Sequence, residues 1–321
     1  MQADEIQALA DAIVHHHSAT FGARLHHDAN SVELLPQPTP PALRHEPAYL
    51  AALQACSRLG FIAVDAECLA QAWQRQTERT NHFDVTHWPD DPQDFGLNHA
   101  DPAQAPMAQT PMIQAFPACP RQLGLYGVLP TAEWVGRMAR AGVPTVQLRF
   151  KSEDQGAIRA EVQAAVQAVQ GTNALLFIND HWQAAIDAGA YGIHVGQEDL
   201  DALAGEQLAA IHASGLRLGV STHGYAEMVR AHAVQPSYIA LGAVFPTTLK
   251  KMATAPQGMA RLQAYVRLMQ AYPLVAIGGI AAEQFAEVAA TGVGSIAVVR
   301  ALVNAPDPEA AAHDLMARLH K

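Results

Sequence analysis

From Leu125 onward the chain repeats one pattern eight times: a short apolar run, a polar break, then an amphipathic stretch. The runs are LYGVLP, TVQLRF, ALLFIND, GIHVG, RLGVST, YIALGAVF, PLVAIGGI and SIAVVRAL. Runs this short and this apolar suit strands buried on both faces. Among the stretches between them are AEWVGRMARAG, QAAIDAGA, EQLAAIHASG, AEMVRAHAV and AEQFAEVAATG, which have helical spacing. Several close on a glycine, the residue that most readily takes the left-handed conformation ending a helix. Eight such units within about 200 residues predict a (β/α)8 TIM barrel of the α/β class. A doubly wound open sheet built from the same units is the alternative.

The chain before this repeat has a different texture. Residues 101–120, DPAQAPMAQTPMIQAFPACP, hold five prolines and no apolar period, which reads as an extended Pro-rich linker. Residues 1–100 form a mainly helical appendage of unknown role, with helical spacing in EIQALADAIVHHH and in YLAALQACSRLGFIAVDAECLAQAWQRQTER. The barrel then occupies 121–321. Residues 1–120 hold 14 acids against five arginines and no lysine, whereas the rest of the chain is nearly balanced, with 16 acids and 15 bases. An acidic chain with no basic stripe excludes nucleic acid as the main partner. No apolar stretch approaches the roughly 20 residues of a membrane span, and the first residues lack a basic start followed by an apolar core. The expected location is therefore the cytoplasm, with no membrane partner. Cys56, Cys68 and Cys119 lack C-x-x-C spacing and favour neither a disulfide framework nor a zinc site.

In a (β/α)8 barrel, the residues at the carboxyl ends of the strands share one mouth, where chemistry is normally placed. Asp180 closes the third apolar run and Asp199 follows the fourth, so their carboxylates come from adjacent strands and could share a hard cation such as Mg2+. Capping of the following helices is the other use for the same two residues. The chain has four lysines, and Lys151, Lys250 and Lys251 all fall just after strand ends. Alternation along QLRFK puts Gln147, Arg149 and Lys151 on one face. Carboxylates for a metal, opposed by cations, suit a pyrophosphate. A second anion site is expected where Gly278 and Gly279 close strand seven and GSIAVVRAL supplies strand eight, because glycine lets backbone N–H groups approach phosphate oxygens.

In this order and spacing, QLRFK, FINDHWQAAIDAGAYGIHVGQEDL, LGVSTH, YIALGAVFPTTLK, VAIGGI and IAVV resemble the thiamine phosphate synthase (thiamine-phosphate pyrophosphorylase) family over about residues 123–318. The resemblance implies a (β/α)8 transferase of thiamine biosynthesis. Such an enzyme joins hydroxymethylpyrimidine diphosphate to thiazole phosphate and releases pyrophosphate. It implies Mg2+ held by Asp180 and Asp199, and a catalytic set of Arg149, Lys151, Lys250 and Ser221. It further implies pyrimidine diphosphate contacts from Gln147, Arg149, Lys151, Asn179, Ser221 and Lys250. Thiazole phosphate contacts would come from Thr247, Gly279 and the backbone at Val299 and Arg300.

Three positions depart from the family pattern. Leu249 stands where a threonine precedes the lysine after strand six, leaving Thr248 as the substitute hydroxyl; Ala243 stands where a proline is common; Arg300 stands where serine is commoner. Two other functions remain open beside the synthase: a related thiazole tautomerase, which would not need the full metal and diphosphate set, and a non-catalytic regulator binding phosphate ligands. In the appendage, His15, His16, His17, His26 and His27 invite a metal reading, but adjacent histidines on a helix point in different directions and read as a solvated face. DAECLAQAWQRQTER faintly resembles the closing helix of the pyrimidine kinase that makes the synthase substrate, with no glycine-rich nucleotide loop beside it. The appendage is expected to pack on the barrel, mediate homo-oligomer assembly or contact another pathway enzyme.

Overall fold

Short apolar runs become strands here because each is buried on both sides. In the computed structural model, which describes residues 3–22, 43, 45–97, 115–247 and 255–319, the described elements before the repeat are helices α1 (Ala3–Phe21), α2 (Pro47–Arg58) and α3 (Ala63–Thr80) and a 3-10 turn at Pro92–Phe95. The repeat then runs β1 (Gly124–Leu129), α4 (Ala132–Arg140), β2 (Thr145–Leu148), α5 (Gln155–Ala168), β3 (Leu175–Asn179), α6 (Trp182–Ala188) and β4 (Gly192–Val195). It continues with α7 (Gln197–Ala202), α8 (Gly205–Ala213), β5 (Arg217–Thr222), α9 (Tyr225–Ala233), β6 (Tyr238–Leu241) and α10 (Gly258–Leu268). It closes with β7 (Leu274–Ile277), α11 (Phe285–Ala289), β8 (Ser295–Val298), α12 (Arg300–Val303) and α13 (Pro308–Leu319). All eight expected strands are present and all pair in parallel, with β8 returning to β1. The sheet is a closed barrel, and the open doubly wound alternative falls away.

Local chemistry fixes the helix starts. The Thr131 hydroxyl accepts from Trp134 N at the head of α4, and the Asp154 carboxylate accepts from Gly156 N and Ala157 N at the head of α5. Inside the barrel, Tyr126, Phe177 and Tyr238 pack with Val128, Ala240, Val275 and Ala297. Their bulk is matched by glycine on the neighbouring strands. A Cβ on Gly192 would lie 2.5 Å from the Phe177 ring, and one on Gly219 would lie 2.1 Å from the Tyr238 ring. Alternating large and absent side chains fill the interior with side chains and leave no room for a pore.

The chain separates into two units. One comprises the barrel strands and most of their helices; the other joins residues 1–112 to 223–232 and 248–269. The second unit thus includes the stretches that follow β5 and β6 in the chain. Its helices α2 and α3 are separate elements within a stretch that sequence spacing left continuous, because Gly60 turns the chain at φ 77°. Its core is aromatic. His17, Phe21, Phe61, Trp73 and Trp88 pack ring against ring, and Trp88 Nε1 donates to the Tyr225 hydroxyl. His17 is buried and its Nε2 meets Val85 O at 3.0 Å, so this histidine belongs to the core. Its neighbours His15 and His16 are exposed, as expected of a solvated face, whereas His26 and His27 lie outside the described residues.

Asp65, in the first turn of α3, caps α9 within this unit: its carboxylate accepts from Ala226 N at 2.9 Å. Gly224 permits the approach, since a Cβ there would lie 2.0 Å from Asp65 Oδ2. Arg261 of α10 lies 3.9 Å over the Phe61 ring and donates to Leu59 O and Gly60 O, the carbonyls ending α2. Among the described residues no helix is long and apolar enough to cross a membrane, and the three cysteines are unpaired.

Candidate active site at the carboxyl ends of the strands

The site follows from strand alternation. Because Phe177 points into the barrel, Asn179 two residues later does too. The same period places Gln147 on β2, His194 on β4 and Ser221 on β5 inward, and their hydrogen bonds agree. Gln147 Nε2 donates to Tyr126 Oη at 3.0 Å, and Tyr126 Oη meets Tyr238 Oη at 2.8 Å. His194 Nδ1 meets Tyr238 Oη at 2.6 Å, while its Nε2 meets Ser221 Oγ at 2.7 Å. Two expected substrate contacts, Gln147 and Ser221, are therefore the ends of one buried polar chain. Sequence reasoning missed Tyr126, His194 and Tyr238. Their signal was a polar atom at an inward position of an otherwise apolar strand, which a buried side chain must satisfy.

Gln197 belongs to the same region. It is buried, its Nε2 donates to Ser221 O at 2.7 Å, and its Oε1 has no hydrogen-bond partner among the described residues. An acceptor buried without a donor is uncommon in a folded protein and fits a position completed by a ligand or water.

Asp180 and Asp199 come together as the spacing predicted. Burial raises the Asp180 carboxyl to about 6, helped by the charge of Asp199 and a hydrogen bond with it; His181 and Arg149 oppose the rise. Neither aspartate caps a helix. The residues at the cap positions of α6 and α7 are His181 and Gly196, and neither makes a side-chain cap. Asp180 adopts a left-handed backbone, φ 63°, which few non-glycine residues do. Its amide donates to His194 O and its side chain pairs with Asn179 Nδ2. Strain held in place by hydrogen bonds from two strands is typical of a functional position. Among the described residues no group of three or more His, Cys, Asp and Glu is placed to hold a metal ion. Two mutually repelling carboxylates are the donor set that suits Mg2+, which leaves its other positions to water and phosphate oxygens.

The cations are placed less uniformly. Strand β2 stops at Leu148, so alternation carries Gln147 inward but does not extend to Lys151. Arg149 remains tied to the sheet through its amide, which donates to Leu129 O, and its charge acts on Asp180. Lys151 is exposed beyond it. Thr248, Leu249, Lys250 and Lys251 lie outside the described residues. Thr247 is half-buried, and Phe245 and Pro246 before it lie against Gly279, where a Cβ would sit 2.5 Å from Pro246 O and 2.7 Å from Phe245 O. Gly278 and Gly279 both have positive φ, 102° and 67°. These contacts alone require glycine, whatever the loop binds. Val299 is half-buried ahead of α12 and Arg300 is exposed.

Comparison with known proteins agrees with this architecture. Residues 125–302 match the family described as thiamine monophosphate synthase. The thiamine-phosphate synthase of Neisseria meningitidis serogroup B is 54% identical over 195 residues, which cover 61% of this chain and 94% of that protein. That of Serratia proteamaculans is 50% identical over 207 residues, covering 64% and 96%. The thiamine phosphate pyrophosphorylase structure from Pyrococcus furiosus superposes with a TM-score of 0.56 at 27% identity, covering 62% of this chain and 97% of its own. A match across the whole barrel, with relatives covered almost end to end, places the chain in the thiamine monophosphate synthase family.

Proposed function

We propose that the barrel is a thiamine phosphate synthase. It would couple 4-amino-2-methyl-5-hydroxymethylpyrimidine diphosphate to 4-methyl-5-(2-phosphoethyl)thiazole and release pyrophosphate. The observation that carries this reading is the Asp180 and Asp199 pair facing Arg149, beside the inward Gln147, Asn179 and Ser221. The names of the relatives support the same reaction. The thiazole tautomerase and the non-catalytic binder are less favoured, because neither explains two carboxylates brought together against an arginine.

Asp180 and Asp199 would hold Mg2+, which supplies positive charge against the diphosphate as that group departs. Arg149, Lys151 and Lys250 would bind the same oxygens and stabilise the charge that builds on them. In the substitution, the methylene C–O bond breaks and the electron pair leaves with pyrophosphate. The electron-rich aminopyrimidine ring supports the resulting cation, and the thiazole nitrogen forms the new C–N bond with its lone pair. No enzyme nucleophile is needed and no proton moves. Gln147, Asn179 and Ser221 would orient the pyrimidine. Thr247, the substitute hydroxyl Thr248, Gly279 and the backbone at Val299 and Arg300 would hold the thiazole phosphate, bringing nitrogen and carbon into line. Small molecules would be the only substrates; any assembly or pathway-enzyme contact through residues 1–120, like the cytoplasmic location, is part of the proposal.

Pyrophosphate release by the purified protein, given both precursors and Mg2+, tests the reading when product mass is checked for thiamine phosphate. Turnover that depends on both precursors is expected. A folded protein that binds thiazole phosphate but releases no pyrophosphate would overturn it.

A further inference from the structure

The loops that follow β2 and β3 carry charged groups of the mouth, and one side chain ties them together. Strand β2 ends at Leu148, and residues 149–154 carry neither helix nor strand until α5 begins at Gln155. Arg149 is anchored, since its amide donates to Leu129 O at 2.7 Å. Lys151, two residues on, is exposed. Between them, the Phe150 carbonyl lies 3.0 Å from His181 Nε2, and both residues are half-buried. A carbonyl oxygen only accepts, so Nε2 carries a hydrogen and donates it. The contact holds whether or not the ring is charged, because the Nε2–H tautomer and the imidazolium both supply that hydrogen.

The donor is itself held firmly. His181 N donates to Asn179 O and Trp182 N donates to Asp180 O, each at 2.8 Å, which makes two successive three-residue turns. Their central residues are Asp180, at φ 63°, and His181, at φ −82° and ψ 63°. His181 O then accepts from Ala185 N at 3.0 Å, at the start of α6. Asp180 and the His181 ring therefore leave one fixed piece of backbone, at the end of the strand that pairs with β2. At the other end of the contact, the Phe150 carbonyl shares a rigid peptide plane with Lys151 N and Cα. Holding that oxygen sets where the lysine side chain departs. No proton moves in the proposed substitution, so what this histidine offers the mouth is its N–H.

We infer that His181 is a positioning residue that clamps the Phe150–Lys151 peptide and holds Lys151 in register with Asp180, so that cation and carboxylate meet the same diphosphate. The identity of the ligand rests on the synthase reading; the clamp rests on the geometry of the two loops.

Binding of inorganic pyrophosphate in excess Mg2+, measured by calorimetry on the full-length protein, tests the clamp without turnover. His181→Phe keeps a ring and loses the donor, and it should weaken binding about tenfold, the weight of one hydrogen bond. His181→Gln places an amide N–H the same number of bonds from Cβ and should recover binding to within about twofold of the wild type. In a Lys151→Ala background, His181→Phe should change binding by less than about twofold, since the lysine it positions is gone. Full additivity of the two substitutions, or no recovery by glutamine in a protein that melts like the wild type, would reduce His181 to a packing residue and overturn the inference. Nitrogen-15 NMR of the wild type gives a readout that needs no folded variant: the ring whose nitrogens couple to a hydrogen on Nε2 must include His181, and a hydrogen on its Nδ1 alone sinks the clamp. A wild type that binds no pyrophosphate leaves Lys151 no diphosphate to meet and also overturns the inference. If the wild type binds pyrophosphate but makes no thiamine phosphate, the synthase reading fails alone, and the variants still decide the clamp.

Discussion

Asp65 in the N-terminal unit and Asp180 at the barrel mouth both have carboxyls raised to about 6, and in both burial is the largest cause. Their surroundings differ in kind. The charge of Glu227 also pushes Asp65 up, but Asp65 is answered locally: Ala226 N donates to it, the charge of Arg261 opposes the rise, and Gly224 leaves it room against the head of α9. Asp180 faces a second carboxylate, with Arg149 and His181 only partly offsetting the repulsion, on a left-handed backbone. The first is a helix cap buried at some cost; the second is an incomplete electrostatic arrangement that a cation would complete. A raised carboxyl is therefore not by itself the mark of a site. What separates the two is whether the protein already supplies the partners.

The largest effect that could break this contrast is expected at the barrel mouth. Asp199→Ala should lower kcat by about 10²–10³-fold, the scale of losing one group that stabilises developing charge, while the thermal transition moves little. It should also let the Asp180 carboxyl fall towards its ordinary value, because the charge of Asp199 helps hold it up. An unfolded variant, or one with unchanged kcat, would remove the distinction from Asp65.

Asp65→Asn should act on stability and its pH dependence. The folded-state value is raised from 3.8 to about 6, so the folded chain binds the extra proton between those values. The stabilisation is fully present below about 3.8 and is lost as pH rises through about 6. Asparagine keeps an acceptor for Ala226 N and does not titrate. Relative to the wild type, the variant should gain stability between pH 4 and pH 7, by up to about 3 kcal/mol, as read from denaturant melts at several pH values. A constant difference across that range would refute the assignment.

Two glycine variants sharpen the comparison further. Gly224→Ala would drive a Cβ into the Asp65 carboxylate, and Gly219→Ala would drive one into the Tyr238 ring. Each should cost about 1–3 kcal/mol of stability by overpacking. Only Gly219→Ala should also raise KM for the pyrimidine diphosphate, because only it displaces a member of the polar chain. The smallest effect is expected from Arg261→Lys, which loses the planar stack on Phe61 and one of two carbonyl contacts. A loss of about 0.5–1 kcal/mol in thermal melts, with no change in kinetics, is expected.

Much of the barrel is legible in the sequence. The runs LYGVLP to SIAVVRAL are each buried on both faces, and such strands declare themselves as unbroken apolar segments. Asp180 and Asp199 were legible for a related reason: strand ends in a closed parallel barrel converge, so position along the chain maps onto position at the mouth. The face assigned to Lys151 was not, because strand periodicity ends where the strand ends, at Leu148. Tyr126, His194 and Tyr238 were hidden because each looks locally like an ordinary strand residue. Only pairing across β1, β4 and β6 turns three separate polar atoms into one chain.

By itself the sequence determined the βα repeat, its strand ends and the residues available at the mouth, since hydrophobic periodicity and helix punctuation are local properties. Tertiary structure alone decided that β8 closes on β1 rather than leaving an open sheet, and that Tyr126, Tyr238 and His194 link Gln147 to Ser221. It also decided that residues 1–112 share a unit with the segments after β5 and β6. Those outcomes depend on contacts between residues far apart in the chain, where packing and desolvation act and no local pattern records the result.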